Sequence, residues 1–258
     1  MVKPIIKKST DLTSDEITEL NEICHSINSC FPENHIQENH IKKTSPVFYL
    51  FKVEGKIVAF HAFSIFKEKT PFSTKELPII YINLSFKRPN ADSHIKNYAK
   101  WSNAHFLKAN IGRLWILKKF VLIFLTNNPK LAKRSANIFY ESYPTYKNNT
   151  PQKIQDFSKK IIHKNLKLSS SNINQNLVVY KESTYKMDIN SKWENLYKSN
   201  DYEQDDFFIK NDIIQTEDNK FFLTGNLMLF MGYSSFLNLI RNVLYHKFKK
   251  NESPYKVK

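Results

Sequence analysis

Glycine is nearly absent: the 258-residue chain holds 4, at Gly55, Gly112, Gly225 and Gly232. Loops that cradle phosphate need glycine so that backbone amides can approach the anion, and neither G-x-G-x-x-G nor G-x-x-x-x-G-K-[ST] occurs. Dinucleotide-fold and P-loop chemistry are excluded on that ground. Cysteine is scarce too. Cys24 and Cys30 fall on different faces of a predicted helix, with no metal-ligand spacing nearby, and read as reduced thiols of a cytoplasmic protein. Arginine is confined to Arg88, Arg113, Arg134 and Arg241, so the net charge of +15 is carried almost wholly by lysine. Lysine lacks the planar fork that base edges and phosphates favour, which argues against nucleic acid as the partner. No H-E-x-x-H, C-x-x-C or G-x-S-x-G string is present, so no metal site and no serine-hydrolase elbow is predicted. The most apolar long stretch, 227–245, is broken by Gly232, Ser234, Ser235, Asn238 and Arg241. It falls short of the roughly 18 uninterrupted apolar residues of a membrane span. The start, MVKPIIKKST, has too short an apolar core for a signal peptide.

What is present suits a folded globule: 41% hydrophobic residues, 14% aromatic, and length enough for a sizeable core. Residues 3–8 predict a short strand. Thr13-Ser14-Asp15-Glu16 then supplies a cap and first-turn acids, and Ile17, Leu20, Ile23, Cys24 and Ile27 follow at helical spacing. A polar connection over 31–46 carries His35 and His40. Two aromatic and β-branched runs, 47–53 and 56–66, flank Glu54-Gly55 and predict a hairpin. A third strand is predicted over 77–86. The string Lys87-Arg88-Pro89-Asn90-Ala91-Asp92 breaks it, and Asp92 or Ser93 is expected to cap a helix reaching about Ala109, with Ile95, Tyr98, Ser102, His105, Phe106 and Ala109 as its stripe. A buried strand over 119–125 feeds a helix over 129–142, with Asn127 or Asn128 as cap and Pro129 in its first turn.

The helix over 129–142 ends in Ala136-Asn137-Ile138-Phe139-Tyr140-Glu141, followed by Tyr143-Pro144. That string, and the order β–α–β–β–β–α–β–α over about 140 residues, resembles the GNAT superfamily of acyl-CoA-dependent N-acyltransferases. The resemblance implies an α/β (α+β) fold: a mixed sheet, splayed between its fourth and fifth strands and flanked by helices. It implies transfer of an acyl group from a thioester to an amine, with no tightly bound cofactor and with acyl-CoA or an acyl-carrier protein as cosubstrate. Tyr140 would then protonate the departing thiolate, with Tyr143 as its substitute and His61 as a candidate base. The fourth strand would hold the pantetheine arm through its backbone at Asn83, Leu84, Ser85 and Phe86. Lys87, Arg88, Asn90 and Ser93 would meet the phosphates, with Asn128 a further candidate on the cofactor side. Where the family reads R/Q-x-x-G-x-G/A, both glycines are missing here, which marks a divergent member. The lysines suit CoA phosphates or an acidic carrier protein equally.

The core is expected to occupy 1–146, with 147–258 as a C-terminal α/β extension. In the extension, a helix over 151–164, a strand pair in NLVVYKESTYKMD, and a final strand or hairpin in KFFLTGNLMLFMGY are predicted. A basic amphipathic helix over 234–249 closes the chain. Phe236, Leu237, Leu239, Ile240, Val243, Leu244 and Phe248 beside Arg241, Lys247, Lys249 and Lys250 allow peripheral membrane contact. The alternative to an enzyme is a non-enzymatic basic module that binds nucleic acid or an anionic surface on a degenerate fold of the same kind.

Overall fold

The computed structural model describes residues 2–89, 91, 95–146, 148–168, 173–180 and 185–248, the last three of these by backbone alone. Two compact units emerge. One holds residues 1–66, 80–115 and 165–167; the other holds 67–79, 116–164 and 168–258.

In the first unit, strand β1 (Ile5–Lys8) leads to helix α1 (Ser14–Ile27). Thr13 closes a capping box: its hydroxyl accepts from the Glu16 amide at 3.2 Å, and the Glu16 carboxylate accepts from the Thr13 amide at 3.1 Å. The same buried carboxylate accepts from Lys7 at 2.9 Å and Lys52 at 3.1 Å. Leu20, Ile23 and Cys24 face inward as their spacing predicts, against Phe48, Leu50, Phe60 and Ala62. Cys30 lies beyond the end of α1 and is exposed, so the two thiols do not share a helix.

The stretch 31–46, expected to be a loop, is instead partly helical. A π-helical turn, Gln37–Ile41, runs into α2 (Lys42–Thr44). Its polarity serves internal bonding. Asn21 donates to Gln37 at 2.9 Å and accepts from the Ile36 amide at 3.0 Å, and the His35 and His40 rings meet at 3.3 Å. Strands β2 (Val47–Val53) and β3 (Lys56–Thr70) form the predicted hairpin, and β1 pairs antiparallel with β2. Glu54 and Gly55 both adopt positive φ (49° and 81°), the pair of values a two-residue primed turn requires. Strand β4 (Ser73–Lys87) follows β3 in the sheet. Both strands outrun their predicted limits, because 67–76 is polar and reads as loop. Helix α3 (Tyr98–Asn110) starts after Asn97, later than the cap predicted at Asp92 or Ser93, two residues that lie outside the described ones. It buries Ser102, Phe106 and Leu107, while Ala109 is exposed.

The second unit begins with the far end of the β3–β4 hairpin (67–79). It continues with β5 (Phe120–Thr126), α4 (Pro129–Ala136), β6 (Glu141–Tyr143) and α5 (Gln152–Lys160). Then come β7 (Val178–Val179), β8 (Met187–Asp188), α6 (Asn190–Lys192) and α7 (Tyr202–Lys210). Strands β9 (Ile214–Glu217), β10 (Lys220–Leu223) and β11 (Leu227–Ser234) and helix α8 (Phe236–Phe248) complete it. The sheet order is β4-β5-β11-β6, with β7 also on β11, and β8-β10-β9 form a separate three-stranded sheet. Strand β11 therefore lies between two strands that precede it by about a hundred residues, antiparallel to both.

Three expectations are corrected here. The NLVVYKESTYKMD stretch is not a strand pair, since β7 joins β11 and β8 joins β10. The KFFLTGNLMLFMGY stretch is not a hairpin, since β10 and β11 lie in different sheets. Helix α4 stops at Ala136, not at 142. Past Asn137 the chain turns so that Glu141, Ser142 and Tyr143 pair with Tyr233, Gly232 and Met231. Phe139 is then buried against Gly232. Strand pairing and the burial of one large ring outweigh the modest helix propensity of Asn-Ile-Phe-Tyr. The architecture is α/β, a mostly antiparallel sheet flanked by helices, in the element order β–α–β–β–β–α–β–α followed by β6 and β11.

Candidate active site

The first unit places the last turn of β4 among side chains that are already partnered. Asn83 is buried; it donates to Ser64 Oγ at 2.9 Å and accepts from Thr44 Oγ1 at 2.6 Å. It is a bracket between β3, β4 and α2. Ser85 shares a hydrogen bond with the Tyr98 hydroxyl at 3.1 Å. Leu84 and Phe86 pack on the core cluster of α1, β2 and β3. Any role for 83–86 in holding a ligand therefore falls to backbone groups, which is the role the resemblance implies for them.

Lys87 is half-buried at the end of β4. Arg88 has its amide on the Val58 carbonyl at 2.8 Å, its Nε on the Ile57 carbonyl at 3.0 Å, and a guanidinium nitrogen on Glu22 at 2.9 Å. It anchors the exit of β4 and has one carboxylate neighbour that an incoming phosphate would have to displace. Asn90 and Ser93 lie outside the described residues.

His61 sits on β3 in the interior, 1% exposed, with its ring 4.1 Å from that of Phe63 and 6.5 Å from that of Tyr98. Neither ring nitrogen has a hydrogen-bond partner. Burial holds its pKa down at about 3, so the ring is neutral across the physiological range. A base must reach the proton it removes. This imidazole is walled off by apolar rings, and the geometry gives it a packing role. Tyr98, expected only as part of the α3 packing stripe, meets the half-buried Ser85 and the buried His61; burial raises its phenol pKa despite the bond to Ser85. Tyr49 and His105, bonded at 3.0 Å across α3, form a second polar contact in the core that no sequence motif announces.

In the second unit, Asn128 caps α4 by accepting from the Leu131 amide at 3.0 Å. It also donates to the Leu196 carbonyl at 3.0 Å. Both ends of its amide are thus engaged. Tyr140 stands in the turn between α4 and β6, half-buried, with the Arg241 guanidinium 5.7 Å from its ring centre. Tyr143 lies on β6; its hydroxyl donates to Glu141 at 3.4 Å and its ring stacks near Phe72. Burial, with the Glu141 carboxylate beside it, pushes the Tyr143 phenol up to about 12. Tyr143 is a proton donor already directed at Glu141. Tyr140, Glu141 and Tyr143 are brought together by the α4–β6 turn, and Asn238 and Arg241 of α8 reach the same segment. Among the described residues, no group of three or more His, Cys, Asp or Glu side chains is arranged to hold a metal ion.

No protein-family model matches the sequence, and no curated protein is similar to it. Solved structures share parts of the fold. An acetyltransferase of Trypanosoma brucei is 13% identical, with a TM-score of 0.32 over 42% of this chain and 77% of its own. A Corynebacterium glutamicum protein described as histone acetyltransferase HPA2 and related acetyltransferase is 11% identical, with a TM-score of 0.36 over 58% of this chain and 89% of its own. A conserved Enterococcus faecalis protein described as "Probable N-Acyltransferase" is 12% identical, with a TM-score of 0.39 over 78% of this chain and 53% of its own.

Proposed function

We propose that this chain is an N-acyltransferase that moves an acyl group from a thioester donor, acyl-CoA or an acyl-carrier protein, to an amine. The observation that supports this reading is the element order, β–α–β–β–β–α–β–α, with β4 ending in Lys87-Arg88 before α3 and with a tyrosine pair following α4. In this reading the backbone of 81–86 receives the donor's extended arm as an added strand would be received. Lys87 and Arg88 supply positive charge for its phosphates.

The amine nitrogen attacks the thioester carbonyl, and a C–N bond forms. Collapse of the tetrahedral intermediate breaks the C–S bond, the thiolate takes a proton from a tyrosine phenol, and the ammonium loses one to solvent. Tyr140 is the first choice for the donor because Tyr143 already gives its hydrogen to Glu141. With 39 basic against 24 acidic side chains, an acidic carrier protein and CoA phosphates are both suitable donors.

Thermal unfolding in the presence of acetyl-CoA, longer acyl-CoAs and free CoA tests donor binding, and thiol release with an amine mixture tests transfer. A bound donor raises Tm. The shift is expected to shrink in Lys87→Ala/Arg88→Ala, after correction for that variant's own Tm, since Arg88 also holds Glu22. Tyr140→Phe is expected to slow thiol release by about 10²-fold while leaving the Tm shift in place. No Tm shift with any thioester, together with no thiol release from a carrier-protein donor, overturns the reading and leaves a basic binding module.

A further inference from the structure

Helix α8 is amphipathic, and it docks the unusual way round. The side turned to the protein is polar. Asn238 donates to Glu141 at 3.4 Å, and Asn242 donates to the Asn137 and Ile138 carbonyls at 3.2 and 3.1 Å. Both asparagines are buried, and Ser235 caps the helix from within. The side turned to solvent is apolar: Phe236, Leu237, Ile240, Val243 and Leu244 are all exposed, Val243 at 58% and Leu237 at 55%. At 3.6 residues per turn these five fall within an arc of about 120°, a continuous stripe. A helix of a water-soluble surface ordinarily presents the opposite arrangement.

The charge carried by α8 and by the sequence around it is of one sign. From Asn219 to Asn251 there is no acidic residue, while Arg241 and Lys247 lie in α8 and Lys249 and Lys250 follow it directly. Two copies of α8 laid face to face would place like charge on both helices, with no carboxylate on either to offset it. A surface that is apolar beneath and anionic above has the complementary order: hydrocarbon for the five side chains, negative headgroups for the lysines. We propose that the outer face of α8 is a peripheral binding site for an anionic lipid surface. The helix lies in the plane of the interface and does not cross it; no helix among the described residues is long and apolar enough to span a bilayer. The site is independent of the acyl-transfer reading, because its five apolar side chains are exposed, whereas Asn238 and Arg241 turn to the Tyr140–Tyr143 segment.

The test uses the full chain with vesicles of phosphatidylcholine alone and of phosphatidylcholine with phosphatidylserine, separated by flotation. The chain is expected to float with the anionic vesicles and to stay behind with the neutral ones. Leu237→Ser/Ile240→Ser/Val243→Ser is expected to lower partitioning at least about tenfold, with far-ultraviolet circular dichroism unchanged, because the altered side chains are in solvent. Lys249→Gln/Lys250→Gln, which leaves every residue of the stripe in place, is expected to weaken binding and its salt sensitivity. Equal flotation of the triple serine variant and the parent overturns the proposal. So does absence of flotation by the parent, and so does a parent dimer in sedimentation velocity that the serine variant abolishes without vesicle binding in either.

Discussion

At the scale of single residues, a scarce glycine reports a close approach. Gly232 sits mid-strand in β11, where a methyl group in place of its hydrogen would lie 2.5 Å from Cδ2 and 2.6 Å from Cγ of Phe139. The contact partner is a ring seated on the strand, so relief requires moving a buried side chain. Gly232→Ala is expected to destabilise the protein by about 1–3 kcal/mol, read as a fall in Tm or in the urea midpoint. Because the cost comes from one clash, Phe139→Ala in the Gly232→Ala background is expected to cost less than in the parent, which a double-mutant cycle measures. Additive losses would show that the strain lies elsewhere. The role of Gly232 was not legible in the sequence, and neither was that of Asn83. Its partners Ser64 and Thr44 are supplied by other elements, and nothing local to a strand asparagine distinguishes such a bracket from a side chain facing water.

At the scale of elements, what is local was legible. The Thr13–Glu16 box starts α1 where its residue types say, and the β2–β3 turn falls on Glu54-Gly55. Thr13→Ala removes one acceptor from the first turn and is expected to cost about 1 kcal/mol, measured by equilibrium unfolding. Thr13→Ser is expected to keep most of that stability, and a neutral Thr13→Ala would show that Glu16 alone holds the turn. What depends on distant partners was not legible. The polar run 67–76 reads as loop, yet Glu68 is buried on β3 with Lys160 and Lys164 each at 2.6 Å. Residues from α5 and the turn after it thus make a strand out of a sequence that would not choose one. Likewise 137–143 carries a plausible helical pattern, and only the open edge of β11 draws it into β6. For the candidate site this matters directly: the string that carried the resemblance is mostly turn and strand, with Tyr143 set by β-pairing and Tyr140 by the turn that leads into it.

At the scale of the whole molecule, the pH dependence of stability separates two buried titrating groups by window. His61 has a folded pKa held down near 3 by burial, against an ordinary value of 6.5 in the unfolded chain. Between those values the unfolded state binds a proton that the folded state does not, so stability is full above pH 6.5 and declines as pH falls below it. One proton over that interval gives a loss of about 2 kcal/mol between pH 7 and pH 5. Glu16 acts lower. Burial alone would raise its pKa, but the hydrogen bonds from Lys7, the Thr13 amide and Lys52 outweigh it and hold the carboxyl at about 2, against 4.5 when unfolded. Its contribution is present above pH 4.5 and is lost as pH falls from there toward 2. The expected profile therefore has two descents, the first owed to an orphaned ring and the second to two ion clusters, that of Glu16 and that of Glu68 with Lys160 and Lys164. His61→Leu keeps an apolar side chain of similar reach among Phe63 and Tyr98 and removes the titrating group. In that variant the curve from pH 7 to pH 5 is expected to flatten by the His61 amount, while the fall below pH 4.5 persists. Glu16→Gln is expected to keep the first descent and to make the second shallower without abolishing it, because Glu68, whose carboxyl Lys160 and Lys164 also hold below its ordinary value, shares that window. Denaturant titrations at half-unit steps of pH measure both, and a first descent unchanged by His61→Leu would show that it does not arise in the core of β3.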